Sequence, residues 1–235
     1  MYEMHGKNNA EGKYRKANME HFKKYYAFYI PYIIFVISLI VLILTNEKAD
    51  LHLWLTSFHT PDADDFFRIY TNVGGSLPYF IAGILLFYRY RLAVFVLITQ
   101  IASSLFSVFV KQTWNEPRPI KYFADNYPNI QLHEVAGVHL NSYHSFPSGH
   151  TITAFAFFMA LSFFTKRSYL HFLYFILAVL VGYSRIYLSQ HFALDVLVGS
   201  IIGVAVSVSW QNYYKTLPLK WADGSLRDVF SRKKG

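Results

Sequence analysis

Long apolar runs alternate along the chain with polar stretches of very unequal length. Six such runs stand out, at residues 25–44, 77–88, 92–110, 151–164, 169–183 and 192–210. A helix of about 20 apolar residues, rising about 1.5 Å per residue, crosses the roughly 30 Å of a bilayer's hydrocarbon. The pattern therefore predicts an all-α protein built as a six-transmembrane-helix bundle. Pro31 falls in the first turns of the first run, where a helix tolerates it. Ala102, Ser103, Ser104 and Ser107 give the third run small residues suited to close helix packing. Residues 46–70 are polar but carry Leu51, Leu53, Trp54, Leu55, Phe58, Phe66 and Phe67. They read as short amphipathic helices lying at the membrane interface, broken at His59-Thr60-Pro61. Asp62, Asp64 and Asp65 lack the glycine and terminal glutamate of a calcium loop and read as a solvated acidic turn capping the next helix. Gly74-Gly75 is too short for a nucleotide loop and reads as a tight turn or a close helix approach.

Charge sets the expected orientation. Residues 1–24 hold six Lys and Arg, and residues 214–235 hold another six. The short connections carry Arg89 with Arg91 and Lys166 with Arg167. Both termini and both basic connections fall on one side of a six-span chain, which the positive-inside rule makes cytoplasmic. The opposite side receives residues 46–70, 111–150 and 184–191, so the short interfacial helices are expected on the outer side. The expected division is a basic cytoplasmic lead (1–24), a membrane domain (25–213) and a basic cytoplasmic tail (214–235). The long polar lead with no small-residue cleavage site after the first apolar run is not an ordinary secretory signal. A multi-pass protein of the cell membrane, the inner membrane in a bacterium, follows, with its outward polar stretches facing the periplasm.

Composition agrees and removes several function classes. The chain has 235 residues, 54% hydrophobic and 15% charged, against about 25% charged in a soluble domain. The formal net charge of +8 sits at the termini and connections, which speaks for a lipid surface and against a nucleic-acid partner. There is no cysteine, so disulfides, thiolate catalysis and zinc–thiolate sites are excluded.

The polar residues at the edges of the apolar runs carry the chemistry. Ionisable groups near hydrocarbon are costly and mark functional sites. His191 and Asp195 are four residues apart at the start of the sixth run, hence on one helical face. A carboxylate there can accept the Nδ1–H and leave Nε2 as a nucleophile or base. The same pair could also do no more than satisfy buried polar groups. Lys111, Arg118 and Arg185 converge from the same side. Ser148-Gly149-His150 falls where the fourth helix starts, and a helix N-terminus offers free N–H groups to an anion. An arginine fork, a lysine point charge and a glycine amide together suit a tetrahedral phosphate.

These residues form three motifs. Lys111 through Arg118-Pro119 reads K-x6-R-P. Pro147-Ser148-Gly149-His150 reads P-S-G-H. Ser184-Arg185 through His191 to Asp195 reads S-R-x5-H-x3-D. In this order and spacing the chain resembles the type 2 phosphatidic acid phosphatase (PAP2) superfamily, in its membrane lipid phosphatase branch. The resemblance implies that His191 attacks phosphorus to form a phosphohistidine, that Asp195 orients it, and that His150 protonates the leaving oxygen and then activates water. It implies that Lys111, Arg118, Arg185, Ser148 and the Gly149 amide hold the phosphoryl oxygens, with no metal and no cofactor.

The expected substrate is a lipid phosphate or diphosphate, such as undecaprenyl diphosphate or a phosphatidate-like lipid. A lipid A phosphatase is the competing reading. A vanadate-dependent haloperoxidase or a non-enzymatic membrane protein are the more distant ones. His133, His139 and His144 are expected to be solvated loop histidines, with His144 near enough to touch substrate. Tyr143, Phe146 and Tyr187 are expected to line the site by adjacency.

Overall fold

The structure, a computed structural model, describes residue 16, residues 19–218 and residues 224–227. Most of the basic lead (1–24) and the basic tail (214–235) lies outside the described residues. The helices are α1 (Tyr26–Thr45), α2 (Lys48–Leu55), α3 (Pro61–Tyr70), a 3-10 turn (Thr71–Gly74), α4 (Leu77–Leu85), α5 (Tyr90–Thr113), α6 (Pro119–Asn126), α7 (Gly149–Phe164), α8 (Ser168–Tyr187) and α9 (Ala193–Tyr214). Among the described residues there is no strand, as the all-α expectation requires.

Four helices, α1, α5, α8 and α9, are long and apolar enough to cross a membrane, and the chain is a multi-pass membrane protein. The other two expected spans are shorter. α7 has 16 residues, about 24 Å by helical rise. α4 has only nine, about 14 Å; residues 86–88 continue as turn rather than helix. α1 presents Ile30, Ile33, Ile34, Ile37 and Val41 outward, the unpartnered apolar face of a helix against lipid.

The core is organised around α7. Every residue from Thr151 to Ala160 is buried, which is what an all-round apolar helix demands. α5, α8 and α9 pack around it, joined by Phe95, Phe155, Phe157, Met159, Phe175 and Val204. Small residues set the spacing. A Cβ on Gly203 of α9 would stand 2.4 Å from the Ile152 carbonyl oxygen, and one on Gly199 would stand 2.9 Å from that of Ser148. Backbone therefore meets backbone between α7 and α9, which fixes where each begins.

That close contact positions the polar end of the bundle. α5 and α8 end there, α7 and α9 begin there, and α2, α3, α6 and the loop 127–148 gather over them. The break expected at His59-Thr60-Pro61 starts α3 as the sequence indicates: the Thr60 hydroxyl accepts the Ala63 N–H at 3.2 Å, and Pro61 occupies the first turn, a favoured start for a helix.

Glycine packing is testable by contrast. Gly203→Ala forces a methyl onto the α7 backbone, and overpacking of this kind costs about 1–3 kcal/mol. Gly83 has nothing within 4 Å of its added Cβ, so Gly83→Ala is expected to leave stability unchanged or raise it by up to about 1 kcal/mol. Thermal unfolding in detergent measures both; equal midpoints for the two variants would contradict the packing account.

Candidate active site

Arg118 is placed by prolines. α5 ends at Thr113. Pro117 and Pro119 then keep Arg118 extended, at φ −78° and ψ 165°, as the residue before α6. Its backbone N–H donates to the Ser142 carbonyl at 2.8 Å and its Nε to the Tyr143 carbonyl at 2.9 Å. Its Nη1 donates to Gln190 Oε1 at 2.6 Å. Lys111, in the last turn of α5, donates from Nζ to the His144 carbonyl at 2.8 Å. The outer loop is thus pinned by the two cations that the first motif supplies.

Ser148 caps the start of α7, and its N–H donates to the backbone carbonyl of Asp195 at 3.1 Å. The second and third motifs are joined at that bond. Gly149 follows, and a Cβ there would lie 3.0 Å from Ser107 Oγ. Ser107 is one of the small residues of α5, so the glycine lets α7 begin close against α5 with its first amides open.

Arg185 lies in the last turn of α8. Its carbonyl accepts the N–H of Gln190 at 3.0 Å and of His191 at 3.1 Å, so the turn 188–192 folds back onto the residue that opens it. Ser189 takes φ 51° to allow the reversal. Arg185 Nη1 donates to Thr71 Oγ1 at 2.7 Å, whereas its Nε is buried with no hydrogen-bond partner among the described residues. Ser184 turns away, donating to the Val181 carbonyl at 2.6 Å.

His191 is 1% exposed. Its Nδ1 stands 3.4 Å from Asp195 Oδ2, beyond a normal hydrogen bond but on the face expected from their spacing. The same Oδ2 accepts from Ser145 Oγ at 2.5 Å and from the Phe192 N–H at 2.9 Å. Asp195 therefore fixes the start of α9 and faces His191 at once. Burial, followed by the charges of Arg185, Arg118 and Lys111, holds the His191 pKa well below its ordinary value, so the imidazole is neutral at pH 7. The same three cations and His191 act electrostatically on His150. His150 packs beside the 3-10 turn, where a Cβ on Gly75 would lie 3.3 Å from its Nε2.

Two buried arginines and a lysine therefore surround two histidines. Among the described residues, no salt bridge joins Lys111, Arg118 or Arg185 to a carboxylate. Buried cations with no carboxylate in contact are costly; with an open Arg185 Nε they suit an oxyanion ligand. A cavity of about 450 Å³ opens beside them, lined by Lys111, Gln112, Arg118, Ser142, Tyr143 and His144. A second cavity, of about 390 Å³, lies on the Asp195 side among Ile43, Trp114, Phe146, Phe192 and Leu194.

The structure thus gathers the expected site residues Lys111, Arg118, Ser148, Gly149, His150, Arg185, His191 and Asp195 at one end of the bundle. Four further residues join them. Gln190 binds Arg118 and donates from Nε2 to the His139 carbonyl at 2.9 Å. Ser145 holds Asp195, Thr71 holds Arg185, and Gly75 gives room to His150. Only Gly75 had a sequence signal, the close approach expected at Gly74-Gly75. Three expectations change. Tyr187 points away from the site, donating to Asp64 Oδ1 at 2.6 Å. His133 is exposed in the loop as expected, but it is also paired with Asp64 at 2.8 Å. Asp64 is consequently part of a side-chain cluster, not of a merely solvated turn.

Comparison with known proteins fits this geometry. The sequence profile of the PAP2 superfamily matches residues 90–218, more than half of the chain. No curated protein matches it. Among solved structures, LpxE of Aquifex aeolicus is similar at 27% identity and a TM-score of 0.61, over 73% of this chain and 99% of that one. A transmembrane PAP2-type phosphatidylglycerolphosphate phosphatase from Bacillus subtilis is similar at 23% identity and a TM-score of 0.58, over 81% of this chain and 98% of that one. The profile match falls on all three motifs and on the helices that carry them, and the chain belongs to the PAP2 superfamily as a membrane lipid phosphatase.

Proposed function

We propose that this phosphatase hydrolyses a lipid phosphate or diphosphate at the outer membrane–water boundary through a phosphohistidine on His191. The observation that carries this is the trio of Lys111, Arg118 and Arg185, in no salt bridge among the described residues, around a buried neutral His191. In the first step a ring nitrogen of His191 attacks phosphorus as the P–O ester bond breaks, and His150 protonates the departing oxygen. In the second, water attacks phosphorus with its proton passing to His150, the P–N bond breaks and inorganic phosphate leaves. Lys111, Arg118, Arg185, the Ser148 hydroxyl and the Gly149 amide hold the equatorial oxygens, where charge spreads in the transition state. Asp195 keeps His191 in the attacking orientation. No step uses a metal.

The lipid enters sideways between helices, with its head group in the cavity under Tyr143 and His144. Six membrane crossings, counting α4 with its following turn and α7, put both basic termini in the cytoplasm and the site on the periplasmic or outer face. The distribution of Lys and Arg supports that orientation. Undecaprenyl diphosphate or a phosphatidate-like lipid is the leading substrate, and lipid A phosphate is the second reading. The likeness to LpxE, over almost the whole of that chain, keeps a large envelope lipid in the panel.

Phosphate release from a panel of these lipids, with chelator present, tests the reading. Wild type is expected to release phosphate and His191→Ala none; a His191→Ala protein as active as wild type would contradict it. Arg118→Ala is expected to lose about 100- to 1000-fold in kcat, the usual effect of removing one transition-state donor. Gln190→Ala, which removes only the partner of Arg118, is expected to lose about tenfold in kcat/KM.

The pH profile provides a separate check. His191 attacks neutral, and its pKa is lowered, so activity is expected to persist on the acid side below pH 6.5, the ordinary value of histidine. Loss of activity centred near pH 6.5 would contradict a His191 held neutral by burial.

A further inference from the structure

Away from the phosphate site, three side chains from two distant parts of the chain meet at the start of α3. His59 Nδ1 lies 3.1 Å from Asp64 Oδ1. His133 Nε2, brought in by the outer loop, lies 2.8 Å from Asp64 Oδ2. The two imidazole rings lie close together, their centroids 3.8 Å apart. One ligand atom from each of the three residues falls within 4.8 Å of the other two. Nothing in the phosphatase mechanism uses them.

We propose that His59, Asp64 and His133 bind a zinc ion that staples the outer loop to α3.

Two imidazoles and a carboxylate are ordinary zinc donors, at about 2.0–2.2 Å from the metal. A tetrahedral site with bonds of that length holds its donor atoms about 3.3 Å apart. His59 and His133 approach opposite oxygens of Asp64, at 3.1 and 2.8 Å, so a small rotation of the carboxylate, or its binding through both oxygens, brings the set to the metal. Calcium and magnesium, which favour all-oxygen shells, do not suit this set. His133 is the most exposed of the three, so a water reaches the remaining position from that side.

The surroundings are those of a prepared site. Tyr187 donates to Asp64 Oδ1 at 2.6 Å, an outer partner of the kind that orients a metal-binding carboxylate. The His59 ring lies tilted against that of Tyr187, centroids 4.3 Å apart, and its buried Nε2 has no hydrogen-bond partner among the described residues. The loop is seated independently of any ion: Val135 packs with Tyr187 and Leu188, against Ala63 and Phe67. Arg68 Nη1 reaches the Ala136 carbonyl at 3.4 Å. His133 is thus held near Asp64 before any metal arrives, which lowers the ordering cost of binding.

A zinc here would be structural, and it would act on the phosphate site through position. α3 runs into the 3-10 turn whose Thr71 receives Arg185. The same outer loop continues to Ser142 and Tyr143, whose carbonyls hold Arg118.

The test uses purified full-length chain in detergent, stripped with chelator, equilibrated with buffered zinc and dialysed. Metal content by elemental analysis is expected to show about one zinc per chain more in wild type than in His133→Ala. His133 is exposed, so this variant leaves the fold intact. Zinc at about 100-fold above its dissociation constant is expected to raise the wild-type unfolding midpoint by roughly 5 °C or more, with no such rise in His133→Ala. Tyr187→Phe is expected to bind about 10- to 100-fold more weakly. Equal zinc content in wild type and His133→Ala would overturn the proposal. Neither readout depends on phosphate release, so the outcome is independent of the proposed catalytic role of His191.

Discussion

The rest of the structure depends on one electrostatic constraint: three cations are held at one end of an apolar bundle with no carboxylate salt bridge among the described residues. Arg118 and Arg185 are each less than a tenth exposed. Leaving such charges uncompensated costs several kcal/mol, and the fold meets that cost with neutral acceptors. Gln190 and the carbonyls of Tyr143 and His144 serve Arg118 and Lys111, and Thr71 serves Arg185. These partners orient the guanidinium and ammonium groups but do not neutralise them. The positive charge remains available to a phosphoryl group, whose own charge supplies what the protein withholds.

The same constraint explains the architecture around the site. Cations from α5, α6 and α8 can converge only if the helices approach closely, and glycines permit this where α7 meets α5 and α9. The bond from Ser148 N–H to the Asp195 carbonyl ties the starts of α7 and α9 together. The bonds from Gln190 and His191 to the Arg185 carbonyl fold the third motif into one turn. A cation and the nucleophile are thereby coupled through a single peptide group. Burial and neighbouring charge then keep His191 neutral, the form that attacks.

Much of this was legible in the sequence because its signals are local or periodic. The i, i+4 spacing placed Asp195 facing His191, and helix-start chemistry placed Ser148 and Gly149 where α7 begins. The apolar runs at 25–44, 92–110, 169–183 and 192–210 correspond to α1, α5, α8 and α9. What was hidden depends on long-range packing. Gln190 looks like an ordinary turn residue until Arg118, 72 positions earlier, reaches it. His133 looks like a loop histidine until Asp64, 69 positions away, accepts from it. Tyr187 lies within the third motif, but α8 runs on to that residue, and the helical turn aims it at Asp64 instead of the phosphate site. The short α4 was hidden for a different reason: an apolar run reports hydrophobicity, not where the backbone leaves the helix.

The central claim is that His191 carries the phosphoryl group. Trapping that intermediate is the most direct measurement. His150→Ala, given an aryl phosphate whose leaving oxygen needs no protonation, should form the intermediate and fail to hydrolyse it. Mass spectrometry of peptides kept at alkaline pH is predicted to find one phosphoryl group, on His191. No phosphorylated peptide, or a phosphoryl group on another residue, would contradict the account.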